Sequence, residues 1–310
     1  MKILLTTTSF QDTPGKHHDM LSETGYIVER LRGPVKEDVL LPIIANYDGV
    51  ICGDDEFTRK VLESGKRGKL KVISKYGVGL DKIDLTSAKE LEIPVFNTPG
   101  VNHTTVAEHA LALILTYLKN IHLEYNITKE GHWKRLIGTE LYGKKIGILG
   151  LGKIGKELAK RLSVFGVALF TYDITYDDQV IQEFSIKKVD SIEELVLNVD
   201  ILSIHMPLSS ATKHCIGSKI IKEIQKNLII VNTSRSLIID PKSLIIGLKS
   251  NKISAYLTDV MDEEPMDNNH PLKDLPNVII TPHIGSRTYE SVERQGSMAV
   301  NNLISFYEKS

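Results

Sequence analysis

Short apolar runs alternate with stretches whose apolar residues recur at helical spacing, and the alternation continues along nearly the whole chain. In the first hundred residues the runs at 2–6, 26–28, 49–52, 71–74 and 93–96 predict strands, while 17–24, 37–45 and 57–64 predict helices. Strands separated by helices are joined by crossovers, so the pattern predicts a parallel, doubly wound sheet. Residues 104–119 are apolar almost all round. A helix there must be buried between layers or at a subunit contact, and it is the expected bridge between two domains. A second series follows, with strands predicted near 146–149, 168–172, 186–189, 200–204, 228–231, 253–257 and 278–280. The helix predicted at about 288–307 comes after the last of these and has no strand of its own, so it is expected to return to the first domain. Thr98-Pro99-Gly100 and Thr281-Pro282-His283 are Pro-containing breaks where the chain would cross over. The expected domains are therefore 1–99 with 282–310, discontinuous, and 100–281, with the paired crossings serving as a hinge that a ligand bound across both lobes would close.

Bulk properties narrow the class of protein. A chain of 310 residues exceeds what one hydrophobic core usually serves, in keeping with two domains. Net charge of −1, with basic residues scattered, gives no field for a nucleic acid or a membrane surface. Cys52 and Cys215 are too few for a disulfide framework and lie in or beside apolar runs, which predicts reduced thiols and a cytoplasmic location. The strand at Met1-Lys2-Ile3-Leu4-Leu5 reaches Thr6-Thr7-Thr8 too soon for a signal peptide, and no apolar run approaches membrane-spanning length.

Residues 146–173 carry the most specific local signal. A predicted strand runs into Gly150-Leu151-Gly152-Lys153-Ile154-Gly155, an amphipathic helix follows, and a second strand ends on Asp173. Gly150 permits a tight turn, Gly152 lets the backbone approach a pyrophosphate, and Gly155 lets the helix pack closely on the strand. The helix N-terminus offers N–H groups to the phosphates. Asp173 stands where a carboxylate would hold the adenosine ribose hydroxyls and repel a 2′-phosphate, which favours NAD over NADP. A glycine-rich turn that merely packs is the other reading of the motif, but the whole strand–turn–helix–strand context is present. The predicted fold class is α/β, with a Rossmann NAD-binding domain and a flavodoxin-like substrate domain.

Three further segments fall where predicted strands end: Asn232-Thr233-Ser234-Arg235, Asp259 to Pro265, and Thr281 to Ser286. Ligands of open α/β sheets bind at the carboxyl ends of strands, so these segments are expected to converge. Arg235 can grip a carboxylate bidentately and polarise the adjacent carbonyl. His283 can deliver a proton to that oxygen as hydride reaches carbon, and Glu264 can fix its tautomer and favour its charged form. Reduction of a 2-keto acid needs this set. Taken singly, Arg235 also fits a surface ion pair, Glu264 a solvated charge beside Asp262 and Glu263, and His283 a turn residue. Their joint occurrence at successive strand ends favours the catalytic reading. His205-Met206-Pro207 ends the strand at 200–204 and is expected to line the cofactor cleft. His17-His18, His103, His109 and His205 have no ligand spacing, so no metal is expected.

With these residues in view, the chain resembles the D-isomer-specific 2-hydroxyacid dehydrogenase family, and within it the phosphoglycerate dehydrogenase-like group. The resemblance rests on Lys75 to Asp84, Asn97 to Gly100, Val106-Ala107-Glu108, Trp133 with Gly138 to Leu141, Gly150 to Gly155, His205 to Leu208, Asn232 to Arg235, Asp259 to Pro265 and Pro282 to Gly285, in family order over nearly the whole chain. It implies that Arg235, Glu264 and His283 are the catalytic set and that Val78 and Gly79 present N–H groups to the substrate carboxylate. Lys75, Tyr76 and Asn102 join the expected substrate contacts. Cofactor contacts are implied at Lys153, Ile154, Asp173, Met206, Thr233, Asp259 and Gly285, and the expected set also takes in His205, Pro207, Thr212 and Ser234. It further implies a homodimer built around the helix at 104–119 and the segment with Trp133 and Arg135.

One departure bears on the substrate. Family members acting on phosphoglycerate carry an Arg just after the strand matching 49–52, whereas this chain has Gly53-Asp54-Asp55, two acids expected to repel a phosphate. Lys75, and Arg135 from a partner subunit, are the residues that would compensate. The chain ends directly after the final predicted helix, where longer phosphoglycerate dehydrogenases append a regulatory domain. The expected activity is interconversion of a small D-2-hydroxy acid and its 2-keto acid with NAD. Phosphoglycerate and glyoxylate or hydroxypyruvate compete as substrates, and an NAD(H)-sensing, corepressor-like binding protein is the alternative of another class.

Overall fold

The strands of the protein lie in two sheets, one of five and one of seven, and every pairing among the described residues is parallel. The structure, a computed structural model, describes residues 1–225 and 227–309. Two units separate: Met1–Asn102 with Ser286–Ser310, and His103–Gly285. The divisions fall three and four residues beyond the expected 99/100 and 281/282. His103 already opens a long helix, and the backbone of Ile284 and Gly285 is hydrogen-bonded to Asp259 of the second unit.

In the first unit β1 (Lys2–Leu5), β2 (Ile27–Arg30), β3 (Gly49–Cys52), β4 (Val72–Lys75) and β5 (Val95–Phe96) stand in the order β2-β1-β3-β4-β5. The order reverses between β1 and β3, the kind of switch point that opens a crevice at the carboxyl ends of strands. Strands β3 and β4 are buried along their whole length, as both faces are covered. One face packs Leu40, Phe57, Leu62 and Ile73, and the other packs Phe10, Leu21, Val292, Ala299 and Leu303. The last three belong to the helix Tyr289–Glu308, which runs against β4 and the helix Lys16–Glu23. Ser74 donates to the carbonyl of Ala299 at 2.8 Å, and Asn302 donates to the carbonyl of Asn97 at 3.1 Å. A Cβ on Gly296 would fall 2.7 Å from the His17 ring, so only glycine lets this helix sit so near.

The helix expected at 37–45 is instead the short Glu37–Leu40 followed by a 3-10 turn at Ile44–Asn46. Pro42 explains the break, since it lacks an N–H and its ring clashes with the carbonyl four residues back. Helices Thr8–Asp12 and Leu85–Glu90 were not signalled by periodicity, being five and six residues long. The second is set by its cap, where the Asp84 carboxylate accepts from Ser87 N–H at 2.9 Å and Ser87 Oγ at 2.6 Å.

In the second unit β6 (Lys145–Leu149), β7 (Ala168–Tyr172), β8 (Lys187–Lys188), β9 (Ile201–Ile204), β10 (Leu228–Asn232), β11 (Ile253–Thr258) and β12 (Val278–Ile280) take the order β12-β11-β10-β9-β6-β7-β8. The switch point lies between β6 and β9, which is the doubly wound arrangement of dinucleotide-binding sheets. The helix His103–Leu118 belongs to this unit. It buries Val106, Ala107, Ala110, Leu113, Ile114 and Leu118 against the helix Lys153–Leu162 and the β10–β11 face. Among the described residues no helix is long and apolar enough to cross a membrane.

Candidate active site

The glycine turn after β6 is shaped by contacts that exclude side chains. Gly150 has a left-handed φ of 96°, and a Cβ there would lie 2.9 Å from the backbone of His205 and Met206. A Cβ on Gly155 would fall 2.2 Å from the carbonyl oxygen of Gly150, so the helix Lys153–Leu162 presses on the turn that precedes it. Gly152 differs, because nothing lies within 4 Å of its Cβ position. It is also the N-cap, and having no side chain it leaves the first N–H groups of the helix to an outside acceptor. Lys153 and Ile154 form the first turn. At the end of β7, the Asp173 carboxylate accepts from Leu151 N–H at 2.5 Å and from Ile174 N–H at 2.6 Å, joining the acid to the turn.

The loops after β9 and β10 meet beside it. His205 is partly buried, its Nε2 paired with Ser203 Oγ at 2.8 Å and its Nδ1, shielded from water, without a partner among the described residues. Burial pulls its pKa down to about 4, so the ring is neutral. Thr212 accepts from Ser209 N–H and donates to the Pro207 carbonyl, both at 2.7 Å, which shapes the loop after Met206. Ser234 donates to the Met206 carbonyl and so ties the β9 and β10 loops together. Asn232 donates to the Arg235 carbonyl at 2.9 Å and accepts from Ser234 N–H at 3.1 Å, closing the turn that carries Arg235. Within it the Thr233 hydroxyl is buried and unpartnered among the described residues, the state of a group waiting for a ligand acceptor. An open backbone approach, an uncapped helix end, an acid at the close of β7 and an orphan hydroxyl fit a dinucleotide.

Arg235, Glu264 and His283 follow β10, β11 and β12, which are neighbours in the sheet. His283 Nδ1 lies 2.7 Å from Glu264 Oε2, and the other carboxylate oxygen accepts from Met261 N–H at 2.9 Å. An ionised carboxylate only accepts, so Nδ1 carries a hydrogen and Nε2 is the nitrogen able to exchange a proton. His283 has a left-handed φ of 53°, a strained conformation for a residue with a Cβ. Asp259 holds it there: Ile284 N–H donates to Oδ1 at 2.9 Å and Gly285 N–H to Oδ2 at 2.6 Å. Gly285 has to be glycine for that approach, since a Cβ would lie 2.8 Å from Oδ2. Burial alone would raise the Asp259 pKa, but hydrogen bonds from His109, Thr281 and the two amides outweigh it and hold the carboxyl below its ordinary range. The expected cofactor contact at Asp259 is thus first of all a brace for the His283 loop. His109 was weighed in the sequence only as a metal candidate. A polar ring at the head of the apolar run Ala110 to Leu115 is the signal that it needs a partner.

The expected substrate contacts lie in the first unit. Lys75 is only 4% exposed, and its Nζ donates to Asp54 Oδ1 at 2.9 Å and to the Tyr76 carbonyl at 3.0 Å. Tyr76 is buried, and burial pushes its phenol pKa up. The loop beyond it is braced by Gly77 N–H on Thr98 Oγ1 at 2.8 Å and by Asn97 Nδ2 on the Val78 carbonyl at 2.9 Å, leaving Val78 and Gly79 at its bend. Asn102 closes the unit's first segment. The two acids after β3 do not act as a pair. Asp55 is buried, which raises its pKa, and it accepts from Thr6 Oγ1, from Val35 N–H at 2.6 Å and from Gly53 N–H at 3.0 Å. The expectation of two phosphate-repelling acids is therefore corrected, because Asp55 is structural and Asp54 is matched by Lys75.

The sequence model of the D-isomer specific 2-hydroxyacid dehydrogenase NAD binding domain matches residues 111–285, most of the second unit. The chain is 39% identical over 305 residues to a D-3-phosphoglycerate dehydrogenase of Methanocaldococcus jannaschii, covering 98% of this chain and 57% of that protein, so it spans little more than half its length. It is 36% identical over 278 residues to a glyoxylate reductase of Thermofilum pendens, covering 87% of this chain and 81% of that one. Among solved structures, the TT0316 protein of Thermus thermophilus superposes with a TM-score of 0.88 at 33% identity, covering 100% of this chain and 97% of its own. A dinucleotide-type sheet, a His–Glu pair beyond its last strands and these matches lead to one assignment: the chain belongs to the D-isomer specific 2-hydroxyacid dehydrogenases, a family of NAD-dependent oxidoreductases.

Proposed function

We propose that the protein interconverts a small D-2-hydroxy acid and its 2-keto acid with NAD(H), using Arg235, Glu264 and His283. The observation that carries this reading is the 2.7 Å His283–Glu264 contact at the carboxyl edge of the sheet, one strand from the turn that bears Arg235. In reduction, Arg235 grips the substrate carboxylate and draws electron density from the carbonyl. His283 passes its Nε2 proton to the carbonyl oxygen, and Glu264 stabilises the imidazolium before transfer and holds the ring in one orientation. When bound, the nicotinamide supplies the hydride that C2 receives, so hydride and proton together account for the alcohol. Asp173, Thr233 and the open turn at Gly152 hold the cofactor.

Unphosphorylated acids such as glyoxylate and hydroxypyruvate are the favoured substrates. Lys75 is neutralised by Asp54 and adds no net charge for a phosphate. Phosphohydroxypyruvate is the second reading, supported by the likeness to the M. jannaschii enzyme. Ile121, Tyr125, Trp133, Ile137 and Tyr142 are exposed, with Trp133 at 81% and Ile137 at 96%, and this apolar run supports a homodimer. Two free cysteines support a cytoplasmic setting. The test follows NADH absorbance in wild type and His283→Ala with glyoxylate, hydroxypyruvate, pyruvate and phosphohydroxypyruvate. Turnover lowered at least about a hundredfold in the variant, with NADH binding retained, supports the assignment. Equal turnover in both refutes His283 as the acid, and silence with every acid points to an NAD(H)-sensing protein.

A further inference from the structure

We propose that His109, on the helix His103–Leu118, is a positioning residue that sets the orientation of His283 through Thr281 and Asp259. His109 Nε2 lies 2.9 Å from Thr281 Oγ1 and 3.5 Å from Asp259 Oδ1. Thr281 has one hydroxyl hydrogen, and at 2.5 Å from Asp259 Oδ1 it is directed there. Its remaining capacity toward His109 is that of an acceptor, so Nε2 of His109 bears a hydrogen and donates it. The chain of donation runs from His109 to Thr281 to Asp259, and the same carboxylate receives the N–H groups of Ile284 and Gly285. Those are the two amides immediately after His283. A left-handed backbone at His283 persists only where its surroundings over-determine it, and Asp259 supplies two of the fixing bonds.

His109 and Asp259 are largely withdrawn from water, at 18% and 3% side-chain exposure, so bonds between them are worth more than at the surface. Without the donor at position 109, Thr281 can turn its hydroxyl toward the Thr258 carbonyl, already 3.4 Å away, and Asp259 loses a partner. The loop then relaxes, and the ring of His283 no longer holds its register on Glu264. Misplacement of a reacting group on the ångström scale is felt in kcat more than in binding.

This rests on the reading of His283 as the proton donor, so the experiment includes His283→Ala as a reference. Steady-state kinetics with NADH and the best keto acid are compared for wild type, His109→Ala, His109→Gln and Thr281→Val, with NADH binding measured by fluorescence. Gln places an N–H donor close to the position of Nε2 and should keep kcat within about threefold. Ala should lower kcat about tenfold or more, with the keto-acid KM and NADH affinity little changed. Thr281→Val interrupts the same relay and should match Ala, and the double variant should be no worse than either alone. His109→Ala at wild-type kcat, or His109→Gln as impaired as Ala, overturns the proposal. Should His109→Ala fail to fold, Thr281→Val at wild-type kcat overturns it equally. If His283→Ala itself keeps full turnover, it is the assignment of the acid that fails.

Discussion

The carboxylate of Asp173 accepts the backbone N–H of Leu151 at 2.5 Å, so the acid closing β7 is fastened to the middle of the glycine turn. One residue thereby shapes the glycine turn, and on the proposed reading it also repels a 2′-phosphate. Asp173→Ala should raise the KM for NADH about tenfold and narrow the preference for NADH over NADPH by a similar factor, read as the ratio of kcat/KM values. An unchanged ratio would remove Asp173 from cofactor choice.

Two glycines three residues apart should separate folding from binding. Gly155→Ala drives a methyl to within 2.2 Å of the Gly150 carbonyl oxygen and should destabilise the protein by about 1–3 kcal/mol, seen as a lower Tm. Gly152→Ala meets nothing within 4 Å and should fold normally. It should nevertheless weaken NADH binding measurably by fluorescence titration, since on the proposed reading the methyl stands where the pyrophosphate approaches the backbone.

Acid should destabilise the second unit through His205. Burial sets its folded pKa near 4, below the 6.5 of an unfolded chain, so the unfolded state binds the extra proton. The stabilising contribution is complete above pH 6.5 and is lost as pH falls toward 4, by up to about 3 kcal/mol. His205→Gln should flatten this dependence, which denaturant midpoints at pH 7 and pH 5 would show.

Substrate choice should respond to Asp54 alone. Asp54→Asn uncovers the Lys75 ammonium and should raise kcat/KM for phosphohydroxypyruvate relative to hydroxypyruvate by about tenfold. Asp55→Asn disturbs the bonds to Thr6, Val35 and Gly53 and should lower Tm without that gain. A gain from Asp55→Asn alone would reverse the roles given to the two acids.

Features set by short spacing were legible in the chain. The three glycines, the acid 18 residues beyond Gly155 and the polar residues at strand ends announce the dinucleotide turn and the His–Glu pair, because each follows from one strand or one turn. Pro42 was visible too, and its effect on the helix at 37–45 follows from ring sterics that apolar periodicity does not register. Contacts between distant segments were hidden. Nothing near His109 in sequence reveals Thr281 or Asp259, which the fold brings to it from more than 140 residues away. Likewise Asp54 and Asp55 look alike as neighbours. They part ways only because one points to Lys75 and the other into the loop at 33–35.

The helix Tyr289–Glu308 supplies Val292, Ala299, Val300 and Leu303 to one face of the five-stranded sheet, opposite Ile3, Leu5, Ile51 and Val72. During synthesis those strands leave the ribosome well before it, so one side of their sheet stays bare until this helix emerges. The second unit, whose residues are contiguous, can finish its own sheet in the interval. The sheet made first is therefore the one completed last, and a chain released early would present a naked row of apolar side chains where the finished protein has a sealed seam.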